Sequence, residues 1–260
     1  MPVLVALHGF TGGGSDFAPL VKTFPAWRWN APDLPGHSPD LKYPNAPKDD
    51  CTLAANLEFL DSLIPEKSSE ASVLLGYSLG GRLALRYALS RPGRVAALVL
   101  IGASPGILEN AERQQRRAED ELLAQRILTG GVKAFLDEWQ RRPLIASQAR
   151  LPEAWRIAMR QRREQHRAEG LAASLRGFGQ GAVEPVWNEL GELRLPVLIC
   201  AGEEDEKYAT LAEKMAAACP SAETLIVSGA GHMAHLENLP AFAAGLRAFL
   251  AKHCLGSNFK

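Results

Sequence analysis

The sequence predicts a doubly wound α/β domain on a mostly parallel sheet. Short aliphatic runs recur along it without strict polar alternation, the pattern of strands buried on both faces. Helical patterns lie between several of these runs. A third observation sets one region apart. Residues 106–180 contain no convincing strand, and they hold 13 of the chain's 20 arginines.

The strand candidates, in order, are "VLVAL" (3–7), "WRWNAPD" (27–33), "SVLLGY" (72–77), "VAALVLIG" (95–102), "PVLICAG" (196–202) and "ETLIVSG" (223–229). Each is too short for a helix. "SLGGRLALRYALSRP" (78–92) reads as a helix closed by Arg91-Pro92-Gly93. "KYATLAEKMAAACP" (207–220) and "LPAFAAGLRAFLAKHC" (239–254) read as two more. The proline-rich "DLPGHSPDLKYPNAPKDD" (33–50) reads as an irregular loop of a length that is often functional. The arginine-rich region falls between two strand candidates and reads as a helical insertion over one end of the sheet. The expected organisation is a core of residues 1–105 and 181–260 and a helical lid of residues 106–180.

A length of 260 residues suits one large α/β domain, and a 47% hydrophobic content supports a sizeable core. The formal net charge is zero, so nothing global draws the chain to nucleic acid or to an anionic membrane. Cys51, Cys200, Cys219 and Cys254 are scattered and form no metal-like cluster. They read as reduced thiols. The start "MPVLVALHGF" lacks a basic segment, and no apolar stretch approaches a membrane span. The expectation is a soluble cytoplasmic protein, a monomer or a small homo-oligomer.

The sharpest chemical signal is Gly76-Tyr77-Ser78-Leu79-Gly80, a G-x-S-x-G between a strand and a helix. Side chains at the glycines would collide with neighbouring backbone in so tight a turn. Ser78 then stands at a helix N-terminus, where free N–H groups favour a developing anion. "LHGFTGG" (7–13) follows the first strand, where an oxyanion loop is expected. The backbone N–H groups of Phe10 and Leu79 are its candidate donors. The His8 side chain reads as structural, bonding loop backbone.

A base and its orienting acid should follow the serine in chain order. "CAGEEDEKY" (200–208) offers Asp205 among Glu203, Glu204 and Glu206, and the strand-Gly-x-x-Asp pattern selects Asp205. "SGAGHMAHLENLP" (228–240) offers His232 and His235. His232 follows a glycine in the loop after the last strand, whereas His235 reads as an ordinary surface residue. The expected catalytic set is Ser78, Asp205 and His232.

Nearly the whole chain resembles the α/β-hydrolase superfamily. The runs "GYSLGGR", "AERQQRRAEDELLA", "FLDEWQRRPL", "GLAASLRGFGQG" and "GEEDEKY" resemble one branch of it, the 2-succinyl-6-hydroxy-2,4-cyclohexadiene-1-carboxylate synthases. That resemblance implies a lyase, which eliminates pyruvate from a cyclohexene bearing an enolpyruvyl ether, a succinyl group and a ring carboxylate. It implies a small polycarboxylate as substrate, no metal and no organic cofactor. It further implies substrate contacts at Tyr77, Arg82, Arg116, Trp139 and Arg163. Two departures stand out. The run before His8-Gly9 comes almost at once, so the expectation is a sheet of about six parallel strands without the two leading antiparallel strands common in the superfamily. The branch often carries asparagine near the position of His166.

Plainer roles compete at the same residues. Arg116 stands at i,i+4 spacing from both Glu112 and Asp120, as on a solvated helix face. Arg82 could snorkel to the surface, and Trp139 could pack the lid on the core. Three functions fit the motifs in descending order. The first is the lyase, the second is a carboxylesterase or carbon–carbon bond hydrolase for a small anionic substrate, and the third is a non-catalytic binder.

Overall fold

The computed structural model describes residues 2–37, 50–64, 72–253 and 255. Most of the proline-rich loop (38–49) and Cys254 therefore lie outside the described residues. The strands are β1 (Val3–Leu7), β2 (Arg28–Asn30), β3 (Ser72–Tyr77), β4 (Ala97–Ile101), β5 (Val197–Gly202) and β6 (Ala222–Val227). They lie in the order β2-β1-β3-β4-β5-β6, and among the described residues every pairing is parallel. Each expected strand is present. β2 stops at Asn30, short of the run ending at residue 33, because Pro32 has no N–H to give a ladder. A three-residue edge strand offers little for another chain to pair with.

The helices are α1 (Ala18–Thr23), α2 (Leu53–Leu63), α3 (Leu79–Ser90), α4 (Asn110–Trp139), α5 (Pro143–Ala146), α6 (Glu153–Arg163), α7 (Ala168–Phe178), α8 (Glu206–Ala218), α9 (Ala234–Glu237) and α10 (Leu239–Lys252). Alternate strand residues bury opposite faces of the sheet. Val5, Leu74, Leu100 and Ile199 pack with Leu60 of α2, Leu83 and Tyr87 of α3 and Met215 of α8. Leu4, Val73, Val99 and Leu198 pack with Leu20 of α1 and with Phe242, Leu246 and Phe249 of α10. Because both faces are covered, the strands show no polar alternation in sequence. Cys51, Cys200 and Cys219 are buried.

Between β4 and β5 the chain is helical. Leu123, Ala124 and Ile127 of α4 bury against Leu171, Ala172 and Leu175 of α7, a small core separate from those of the sheet. Gly131 has φ 78° and kinks α4. The kink re-aims the last two turns, so Phe135 and Trp139 pack on Phe10 with ring centroids 6.2 and 5.5 Å away. The insertion thereby meets the loop after β1. No helix among the described residues is long and apolar enough to cross a membrane.

Candidate active site

The chain leaves β3 at Tyr77 and enters α3 at Leu79, so Ser78 alone makes the turn. Its φ of 52° and ψ of −107° cost an L-residue about 1–3 kcal/mol. Its neighbours make the crossing possible. A Cβ on Gly76 would strike the Gly80 carbonyl, and one on Gly80 would strike that of Leu7. The Ser78 N–H donates to the Ile101 carbonyl at 2.8 Å, and the Gly80 N–H donates to that of His8 at 3.1 Å. The elbow is thus pinned to the strands on either side.

Ser78 occupies the N-cap of α3, yet its hydroxyl makes no capping bond. Its Oγ lies 3.0 Å from His232 Nε2. Asp205 occupies the N-cap of α8 and does not cap its helix either. Its Oδ2 lies 2.6 Å from His232 Nδ1. A carboxylate at that distance accepts the proton of Nδ1, which leaves the Nε2 lone pair facing the Ser78 hydroxyl. The other acids of the segment face elsewhere. Glu203 accepts from Ser228 and Gly229, and Glu204 pairs with Arg150. The rings of Tyr208 and Tyr77 flank His232, with centroids 4.6 and 5.4 Å from its own.

His8 is buried and supports the loop after β1. Its Nε2 accepts from the Leu34 N–H at 2.9 Å, and Nδ1 donates to the Gly9 carbonyl at 2.8 Å. Burial lowers its pKa to about 4, so the ring is neutral. Thr11, with φ 65°, closes the loop, and its carbonyl accepts from His166 Nε2 at 2.8 Å. Phe10 and Leu79 line the same cavity as Ser78. As the first residue of α3, Leu79 has an N–H with no partner inside the helix.

That cavity brings together Ser78, His232, Phe10, Leu79, Tyr77, Arg82, Arg116, Trp139 and Arg163, with Asp205 behind His232. Arg82 stays inside and does not reach the surface. Its Nη2 donates to the Phe178 carbonyl at 3.1 Å, its Nε has no partner, and burial lowers its pKa to about 10. Arg163 donates to Gln148 at 3.1 Å, and its buried Nε has no partner. Arg116 holds Asp120 at 2.8 Å and Gln180 at 3.2 Å at the cavity rim. Its sequence neighbours do other work. Arg113 pairs with Glu184 at 2.8 Å, and Arg117 is exposed. Trp139 both stacks on Phe10 and lines the cavity, so packing and site roles coincide.

One expectation is overturned. His235 is no surface residue. It is fully buried among Phe17, Tyr77 and Phe242, with no partner on either ring nitrogen. It lies in the short helix α9, where its ring packs against that of Tyr77. Cavity residues that escape a sequence reading include the polar Gln148, Ser174, Gln180 and Tyr208. Gln180 and Tyr208 lie in "GFGQG" and "GEEDEKY" and bond each other at 3.0 Å. Their spacing of 28 residues is not periodic, so only the fold joins them. Among the described residues, no group of three or more His, Cys, Asp or Glu could hold a metal ion.

The fold and this site define an enzyme of the α/β-hydrolase class. The family model for that fold matches residues 2–239. A Serratia proteamaculans (strain 568) protein named 2-succinyl-6-hydroxy-2,4-cyclohexadiene-1-carboxylate synthase is 30% identical, over 96% of this chain and 93% of its own. A Bacillus subtilis (strain 168) protein, provisionally given the same name, is 36% identical over 95% of this chain and 89% of its own. The solved structure of MenH from S. aureus has a TM-score of 0.90 at 33% identity, over 97% of this chain and 94% of its own. A Thermogutta terrifontis esterase shares the fold, with a TM-score of 0.81 at 23% identity over 97% of this chain and 90% of its own. The chain belongs to the α/β-hydrolase fold family and, within it, to the family of the 2-succinyl-6-hydroxy-2,4-cyclohexadiene-1-carboxylate synthases.

Proposed function

We propose that the protein is a lyase that eliminates pyruvate from 2-succinyl-5-enolpyruvyl-6-hydroxy-3-cyclohexene-1-carboxylate in the cytoplasm. The observation that carries this reading is the convergence of Arg82, Arg116 and Arg163 on the cavity that holds Ser78. Buried guanidinium N–H groups without partners are costly, and a carboxylate satisfies them with charge-assisted bonds. Arg82 and Arg163 each have such a buried Nε, Arg116 adds a third cation at the rim, and a substrate with three carboxylates matches the three charges. Residues 106–180 act as the lid that encloses it, and residues 1–105 and 181–260 act as the core.

In the proposed reaction His232, oriented by Asp205, draws the proton from Ser78. Ser78 Oγ then takes the ring proton, the C–O bond to the enolpyruvyl group breaks, and the departing enolate takes the proton held on His232 to leave as pyruvate. The N–H groups of Phe10 and Leu79 hold the enolate-like charge as it forms. Tyr77 supplies a neutral hydroxyl, because burial pushes its pKa up. No metal or organic cofactor is needed for these steps.

The same geometry supports a second reading, hydrolysis of a small anionic ester or carbon–carbon bond. It is favoured by the Ser78–His232 contact of 3.0 Å, which suits acyl transfer equally well. A paired assay separates the two. One reaction receives the enolpyruvyl cyclohexene and is followed for pyruvate and diene absorbance. The other receives a short-chain p-nitrophenyl ester. Fast pyruvate release with poor ester cleavage supports the lyase, and the reverse result overturns it.

A further inference from the structure

We propose that Glu237 is a positioning residue whose buried carboxylate clamps the backbone on both sides of His232 and ties that clamp to the helical insertion. The inference rests on the reading of Ser78, His232 and Asp205 as the reacting set. Glu237 closes the short helix α9, and its side chain is 1% exposed. Its Oε2 accepts from the Gly231 N–H at 2.8 Å, and its Oε1 accepts from the Met233 N–H at 3.0 Å. These are the residues immediately before and after His232.

The other lone pairs face the insertion. Ser147 Oγ donates to Oε1 at 2.9 Å, and Arg150 Nη2 donates to Oε2 at 3.1 Å. Both donors belong to the 3₁₀ turn Ser147–Arg150. A carboxylate offers about four acceptor sites, and here four donors use them. A carboxylate that served only to cap α9 would need the two backbone donors and no others. Arg150 also pairs at 2.7 Å with Glu204, the residue before Asp205. One turn of the insertion therefore touches the loops that carry both the base and its orienting acid. The histidine is held in register with Ser78 while that turn is docked, and it loosens when the turn leaves.

The test reads His232 directly and needs no substrate. The proton shared between His232 Nδ1 and Asp205 should give a far-downfield proton resonance, assigned by its loss in His232→Gln. It should be sharp in the wild type and broadened or lost in Glu237→Gln. It should also weaken in the double variant Ser147→Ala/Arg150→Ala, which keeps Glu237 and removes its partners in the insertion together with the Arg150–Glu204 pair. Turnover by Glu237→Gln should fall about tenfold or more with KM held, because a misplaced base slows chemistry and leaves the substrate contacts intact. A resonance missing from the wild type, or unchanged in either variant, overturns the proposal. Because pyruvate release is not measured in the resonance experiment, its failure is distinct from failure of the lyase reading.

Discussion

His166, from the segment between α6 and α7, donates from Nε2 to the carbonyl of Thr11 at 2.8 Å. Thr11 adjoins Phe10, whose N–H is the proposed oxyanion donor, and has a left-handed φ of 65°. A residue of the insertion thus holds a strained residue of the proposed oxyanion loop. Replacing His166 with Leu should lower kcat about fivefold, the worth of one hydrogen bond of about 1 kcal/mol, with little change in KM. Gln can donate to the same carbonyl and should restore most of the loss. Steady-state kinetics on the two variants check this, and equal loss in both would sink it.

Ser78 is expected to trade stability for activity. Ser78→Gly should remove turnover and raise stability by about 1 kcal/mol, since glycine accepts φ 52° without strain. Ser78→Ala should remove turnover with no such gain. Denaturant melts of the three proteins decide the point. A glycine variant no more stable than the wild type would mean the elbow stores no strain.

Arg116→Lys should raise KM about tenfold with kcat little changed, because lysine keeps the charge and loses the planar fork. Arg116→Ala should raise KM further and lower the melting temperature as well. It would strip the buried Asp120 carboxylate, 5% exposed, of its 2.8 Å partner. An unchanged KM in both variants would show that Arg116 does not touch substrate.

Acid should destabilise the fold through buried histidines. Burial holds His8 at about 4 and His235 at about 3, against an ordinary 6.5, and depresses His37 and His166 in the same direction. The unfolded chain therefore binds protons first as the pH falls. Stability from these groups is complete above pH 6.5 and declines below it, by up to about 1.4 kcal/mol per pH unit for each histidine. The loss levels off for His8 near 4 and for His235 near 3. Unfolding curves between pH 7.5 and about 5 read the slope. His235→Phe should make it shallower, since its neighbours Phe17, Tyr77 and Phe242 already form an apolar pocket.

Much of this molecule is legible in its sequence because the signals are local. Gly76-Tyr77-Ser78-Leu79-Gly80 implies an elbow whatever surrounds it, since backbone sterics across five residues demand the glycines. The aliphatic runs imply a sheet buried on both faces, and the arginine-dense stretch without strands implies a helical insertion. Chain order points to Asp205 and His232, because each follows a strand in the sequence, and the fold brings both to Ser78. What a single sequence cannot carry is contact between distant segments. Arg113, Arg116 and Arg117 look alike in "RQQRR", and only the packing of α4 on α7 turns one to the cavity, one to Glu184 and one to solvent. His235 looks exposed beside Met233, yet in α9 its ring packs against that of Tyr77. Glu237 reads as one more helix-end acid until the turn at Ser147 and Arg150, some 90 residues earlier, brings its donors. Periodicity and turn chemistry fix what each segment becomes, whereas side-chain pairing across the fold depends on close packing that no local pattern encodes.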